Sequence, residues 1–489
     1  MGPGEVEEGP DRAPPGRPQP LTNHGASPPR GLDRLSRSSV DRGRYGRMFR
    51  HLPSYNPQDA TLRKLAHSME PSTGPAPAPG AGSAAAGLQP GENPEIPAGY
   101  VYVGQFVDHD ITFDPTSVLQ RRNDPDGLVN YRTPRFDLDA VYGSGPTDQP
   151  FLYDQEDPFK LLVGRNRGRT EERDDLPRNA QGRALIGDPR NDVHVIISQL
   201  TLAVLRFHNA VVDHLRDRGV ADSELFAEAQ RLTRWHYQWV VVEDYLQRMV
   251  GTDVLRRVLV EGPRSAGRRA DLRHFAWKRE PFMPVEFSAA AFRFGHTQIR
   301  ATYRLNGRLD PKHILLPMHR PDPLEHLGGF RPLPKGWKID WSLFFAVGTS
   351  TPQLSRRIDT RMTGSLATLP PTFDPEGRSM ALLDLLRGRA LGLPSGQAVA
   401  AAIGTSRTDL GLADQTPLWY YLLREAEVDS GGTRLGPTGA TIVAEVLVGL
   451  LAGDPSSYLR VAPTWAPELP SAEAGQFTMV DLLRFAGVA

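Results

Sequence analysis

The chain has 489 residues, with 57 Lys+Arg balanced by 57 Asp+Glu and no cysteine. Zero net charge leaves no electrostatic case for a nucleic-acid partner or an anionic membrane surface. The missing thiols exclude disulfides, thiolate metal centres, cysteine nucleophiles and thiolate-ligated haem.

Residues 1–95 are rich in Pro, Gly, Ala, Arg and Ser, most plainly from Gly74 to Pro90. Such sequence buries too little apolar area to offset its ordering entropy, so 1–95 is expected to be largely disordered. The exception is Leu52 to Ala66, whose Tyr55, Leu62 and Leu65 are expected to strap onto the folded body. Met1 to Val6 shows neither a basic n-region nor an apolar h-region, and no apolar run is read as long enough to span a bilayer. The expected location is therefore the cytoplasm, or outside it by a leaderless route.

Residues 96–489 are expected to form one domain, mainly α with few short strands. A first helix carries Gly104-Gln105-Phe106-Val107-Asp108-His109-Asp110, and a loop-rich stretch from Arg132 to Gly143 follows it. Apolar spacing predicts a long helix over Val193–Arg216, N-capped by Asn191 or Asp192, and a second over Ser223–Met249, capped by Asp222 and stopped at Gly251. Further helices are predicted over Phe287–Arg300, Met380–Gly392, Pro417–Ala426 (with Thr416 as N-cap) and Gly439–Ala452. Ala301–Leu305 reads as a short strand before an Asn306-Gly307 turn.

Four segments carry polar residues that make little sense as core. Gln105, Asp108 and His109 share one helix face, while Asp110 points about 100° away. Arg190 stands at the start of the long helix, His296 lies in the apolar run Phe292-Arg293-Phe294-Gly295-His296, and Asp384 and Arg387 share a fourth segment. Two histidines on different helices suggest a two-sided site, one ligating a metal and the other moving protons. One Arg would stabilise charge developing on a bound peroxide, and another would hold carboxylates of a cofactor. Taken singly, each segment reads more simply as a capping, surface or satisfied core group.

Together, and in this order over roughly residues 97–450, the segments resemble the animal-type haem peroxidases, the family that includes myeloperoxidase and the cyclooxygenases. The resemblance implies a haem b between the two histidines. His109 would be the distal base, Gln105 would hold distal water or substrate, and Arg190 would stabilise the splitting O–O bond. His296 would be the proximal iron ligand, backed by Asp384 where the family places Asn, and Arg387 would pair with a haem propionate. It also implies a Ca²⁺ site built from Asp110, Thr133, the carbonyl of Arg135, Asp137 and Asp139. The substrates implied are hydrogen peroxide and a small organic donor or halide.

There are departures from the family pattern. Of the two haem ester links known in the family, only the one through Asp108 is available, because Val193 stands at the second position. His194 occupies the position of the myeloperoxidase Met, which excludes a sulfonium link. With no cysteine, the chain looks like a bacterial-type member. A fatty-acid dioxygenase of the cyclooxygenase type would need a Tyr where Arg293 stands. The other alternative is a non-enzymatic haem-binding or peroxide-sensing protein.

Overall fold

The apolar spacing of the long central helix and its successor sets the middle of the molecule. The computed structural model describes residues 43–71, 91–113, 129–164, 174–263, 266–315, 322–369 and 378–489, and they form a mainly helical body. In chain order the helices are α1 (Asp59–Met69), α2 (Gly99–Ile111), α3 (Asp139–Tyr142), α4 (Val195–Asp217), α5 (Asp222–Trp239), α6 (Gln247–Val250) and α7 (Thr252–Val258). They continue with α8 (Val285–Ser288), α9 (Met380–Ala390), α10 (Gly396–Ile403), α11 (Leu418–Ser430), α12 (Pro437–Gly453), α13 (Tyr458–Val461) and α14 (Met479–Phe485). The strands are β1 (Gly43–Gly46), β2 (Glu92–Pro97), β3 (Val129–Asn130), β4 (Leu259–Glu261), β5 (Arg268–Ala270), β6 (Met283–Pro284), β7 (Thr302–Tyr303), β8 (Lys312–His313) and β9 (Leu354–Arg356).

The α4 helix buries Ile196, Leu200, Ala203, Val204 and Val211 and packs on both α5 and α2. Among the described residues α4 alone is long and apolar enough by length and composition to cross a bilayer, and 83% of its most apolar window is buried inside the fold, as in a core helix. The α12 helix is apolar on nearly every side and is buried accordingly. The α2 helix, which follows β2 and the β2–β9 pairing, is buried at every position except Gln105 and Asp108. Gly104 allows this depth: a Cβ there would collide with the Tyr245 hydroxyl.

Several predicted elements differ in detail. The second long helix does not run unbroken to Met249; after Trp239 it passes through a π-helical turn, Val240–Leu246, before α6 and the stop at Gly251. The expected cap Asp222 is its first helical residue. The α4 helix is capped by His194, whose ring accepts from the Ile197 N–H, and not by Asn191 or Asp192, which lie in the preceding 3-10 turn. Pro417, not Thr416, caps α11. The helix predicted over 287–300 is two short pieces, α8 and a 3-10 turn over Ala291–His296, broken where Ala290 takes φ −140° and ψ −72°. Side-chain bonds compete with helical ones there: the Arg293 Nε donates to the nearby Ser288 carbonyl, and Glu286 accepts from the distant Met48 and Phe49 N–H groups.

Those last bonds belong to the N-terminal strap, which is longer than Leu52 to Ala66. Residues 43–71 are folded, although they fall within the stretch expected to be largely disordered. Here β1 lies between β3 and β6, and α1 buries Leu62, Ala66 and Met69 as it packs on α9. The Arg47 guanidinium donates to the Leu391 and Gly392 carbonyls, and the Tyr55 N–H to Leu393. The low-complexity run from Gly74 to Pro90 lies outside the described residues.

Candidate active site

The site begins with the turn Gly187-Asp188-Pro189-Arg190-Asn191-Asp192. Asp188 caps this 3-10 turn by accepting from the Arg190 N–H, and Pro189 stands where a missing N–H costs nothing. Asp192 anchors its far end through two bonds from Arg178, at 2.7 and 2.8 Å. The turn brings Asn191 against α2, where its Oδ1 lies 2.7 Å from the His109 Nδ1. Burial, aided by the Arg190 charge, lowers the His109 pKa from 6.5 to about 4, so the ring is neutral near pH 7. With an amide oxygen facing Nδ1, that nitrogen carries the proton and Nε2 is left as an acceptor.

Arg190 itself is clamped to the end of α2. Its guanidinium donates to the His109 carbonyl at 2.9 Å, the Thr112 carbonyl at 2.5 Å and the Asp188 carboxylate at 2.8 Å, and it sits over the Phe113 ring. Arg132 holds the same carboxylate at 2.6 Å, and the two cations keep Asp188 well below the usual carboxylate range despite its burial. One turn before His109, the Gln105 Oε1 lies 2.8 Å from the His194 Nε2. Asp108 is half-buried and accepts at 3.1 Å from the Thr112 hydroxyl.

The α2 helix packs against the 3-10 turn that carries His296. The His296 Nδ1 lies 2.6 Å from the Asp384 Oδ2 on α9, and the other oxygen of Asp384 accepts from the Arg293 Nη1 at 2.8 Å. Asp384 is 1% exposed. Burial raises its pKa, but His296 and Arg293 outweigh burial and hold it below the ordinary value. Arg387 follows on α9, half-buried. A Cβ added to Gly295 would meet nothing within 4 Å, so the space beside His296 is open.

A third cluster lies behind α2. Carboxylate oxygens of Asp110, Asp137 and Asp139 lie within 4.8 Å of one another. Both oxygens of Asp110 and one of Asp139 are buried without a hydrogen-bond partner. Burial and mutual repulsion raise the pKa of Asp110 strongly and that of Asp139 to about 8. The Thr133 hydroxyl donates to Asp137 at 2.6 Å, and Arg135 is buried in the same loop. Arg132 approaches Asp139 at 3.5 Å but does not satisfy the orphaned oxygens. Three crowded carboxylates cannot all stay ionised there without a further cation.

Residues 117–409 match the family model described as animal haem peroxidase. The chain belongs to the animal haem peroxidase family. The matched span contains Arg190, His296, Asp384 and Arg387, and begins just after α2. Heme peroxidase 2 of Caenorhabditis elegans is 24% identical over 76% of this chain and 60% of its own length. The dual oxidase of Drosophila melanogaster is 28% identical over 50% of this chain and 15% of its own length. The chain thus spans about three-fifths or less of these curated relatives. Peroxidase A from Dictyostelium discoideum superposes with a TM-score of 0.56 at 15% identity, over 82% of this chain and 84% of that one. A fatty acid alpha-dioxygenase from Arabidopsis thaliana gives 0.55 at 15% identity, over 84% and 74%. These two likenesses concern the fold.

An animal haem peroxidase needs an imidazole for iron and acids or bases on the opposite side, and the residues present fit that need. The His296 Nδ1 is occupied by Asp384, which leaves Nε2 free, and a carboxylate behind Nδ1 is the pattern that fixes an imidazole for a metal. The orphaned Asp110 and Asp139 oxygens fit a hard cation equally well. Sequence reasoning missed three participants. Asn191 reads as a helix cap, while His194 and Arg293 read only as residues that rule out other chemistry. Their partners are Gln105, His109 and Asp384, far away in sequence, so no local pattern marks them.

Proposed function

We propose that this chain is a haem-dependent peroxidase that reduces hydrogen peroxide to water with electrons from a small organic donor or halide. The observation that carries the reading is the matched state of two imidazoles. His109 and His296, on elements that pack together, each have Nδ1 tied to a side-chain oxygen and Nε2 left for chemistry. When bound, haem supplies a redox-active iron that accepts the oxidising equivalents of peroxide. His296 would hold it, Arg387 would pair with a propionate, and Asp108 is the side chain available for a single ester link.

His109 is the general base. Its Nε2 takes the proton from one peroxide oxygen and returns it to the oxygen that departs as water, a task that needs a ring neutral at working pH. Arg190 fixes the end of α2 behind that ring and places a positive charge beside it, which favours a developing anion. Ca²⁺ would be held by Asp110, Asp137 and Asp139 with the Thr133 hydroxyl and the Arg135 carbonyl. Because Asp110 adjoins His109, the ion would hold the distal helix in place. The dioxygenase reading is disfavoured by Arg293, whose guanidinium bonds Asp384 where that chemistry needs a phenol.

The test is the absorption spectrum of the full chain supplied with haem, before and after one equivalent of hydrogen peroxide. A high-spin ferric Soret band that shifts with peroxide and returns on adding a donor is expected. No haem uptake would sink the reading. Uptake with a spectrum indifferent to peroxide would favour a haem-binding sensor instead.

A further inference from the structure

Gln105 has two faces, and which one it shows to the pocket follows from hydrogen-bond logic that begins at a backbone N–H. The Ile197 N–H can only donate, and it donates to the Nδ1 of His194, the N-cap of α4. His194 is 6% exposed, and burial lowers its pKa to about 3, so the ring is neutral and carries one N–H. With Nδ1 acting as acceptor, that proton lies on Nε2. The Nε2–H then points at the Gln105 side chain 2.8 Å away and requires an oxygen there. The Gln105 amide is thereby fixed with its NH₂ turned away from His194.

That NH₂ has no protein partner among the described residues and is not sealed in the core. It opens where α2 itself opens, at one of only two positions of the helix that are not buried, on the face shared with His109. The edge of the Tyr102 ring system packs on His194, with centroids 5.1 Å apart, and holds the imidazole in place.

We propose that His194 is a positioning residue of the distal pocket: it locks the Gln105 amide so that the pocket presents an N–H donor beside the His109 acceptor. The pocket then offers one acceptor and one donor a helical turn apart. Peroxide, which has a proton to give and lone pairs to receive, matches that pair, and so does any small ligand with lone pairs at the Gln105 end. The geometry stands by itself; only the identity of the ligand rests on the peroxidase reading.

Fluoride binding to the ferric haem-loaded chain reads the lock, because bound fluoride accepts hydrogen bonds and its charge-transfer band moves with them. His194→Asn keeps a good N-cap for Ile197 but is too short to reach Gln105. It is expected to fold, to bind fluoride about tenfold more weakly and to shift the band, as one hydrogen bond to an anion is lost. Gln105→Leu should match it, and the double variant should lose nothing further. Wild-type affinity and band position in His194→Asn, with Gln105→Leu weakened, would overturn the proposal, since Gln105 would then orient itself. If the wild-type chain takes up no haem, the peroxidase reading falls, and the lock is read from the histidine ¹⁵N spectrum. His194 must there show the Nε2-protonated tautomer, and the Nδ1-protonated form would overturn the lock.

Discussion

The imidazoles of His109 and His296 are held in the same way by different chemistry. Behind His109 stands a neutral amide oxygen at 2.7 Å; behind His296 stands a carboxylate at 2.6 Å, itself shared with Arg293. An amide orients a ring without making it much more basic, which suits a group that must take a proton and release it. A buried carboxylate makes the ring a stronger donor of electron density, which suits a ligand to iron. Arg293 moderates that effect by neutralising part of the charge. Under the proposed function, two rings of the same residue type would be set to different work by their second neighbours.

The sharpest way to break the comparison is to delete the distal ring. His109→Ala should slow the reaction with peroxide by about 10²–10⁴-fold while leaving the ferric Soret band in place, as stopped-flow absorption would read. Next is the acidic cluster behind α2. Calcium at about 100 times its dissociation constant should raise stability by about 2.7 kcal/mol in thermal melts, an effect abolished by Asp110→Asn, since the ion would hold the distal side alone.

Exchanging the partners gives smaller effects. Asp384→Asn should make the two sides alike and raise the ferric/ferrous potential in a spectroelectrochemical titration; an unchanged potential would mean that Arg293 already cancels the carboxylate. Asn191→Asp does the reverse. The His109 pKa is lowered to about 4 in the fold, so the peroxide reaction should be flat near neutrality and fall only as the pH drops towards 4. A carboxylate at 191 should move that acid limb upward by ~1–2 units, because an opposite charge favours the protonated ring.

The helical class and the central helices were legible because α2, α4, α5 and α12 carry long apolar patterns that packing reinforces. The shared face of Gln105, Asp108 and His109 was legible for the same reason, since helical period alone sets it. What escaped depends on contacts between distant segments. His194 caps α4 because its ring reaches both Ile197 and Gln105, a use no capping preference predicts. The break at Ala290 lies beside the two bonds that Glu286 accepts from the N-terminal strap. The strap itself was underestimated because β1 has almost no apolar content and is held by pairing with β3 and β6.

That strap sets where the smallest portable unit must begin. A deletion to residue 95 would take the middle strand out of the β3–β1–β6 sheet and uncover the face of α9 on which Leu62, Ala66 and Met69 rest. It would also leave the Glu286 carboxylate without the two N–H groups that satisfy it, next to the turn that carries His296. Recombinant versions trimmed to the low-complexity boundary would therefore disturb the turn that carries His296, whereas versions that keep residues 43–71 retain these contacts.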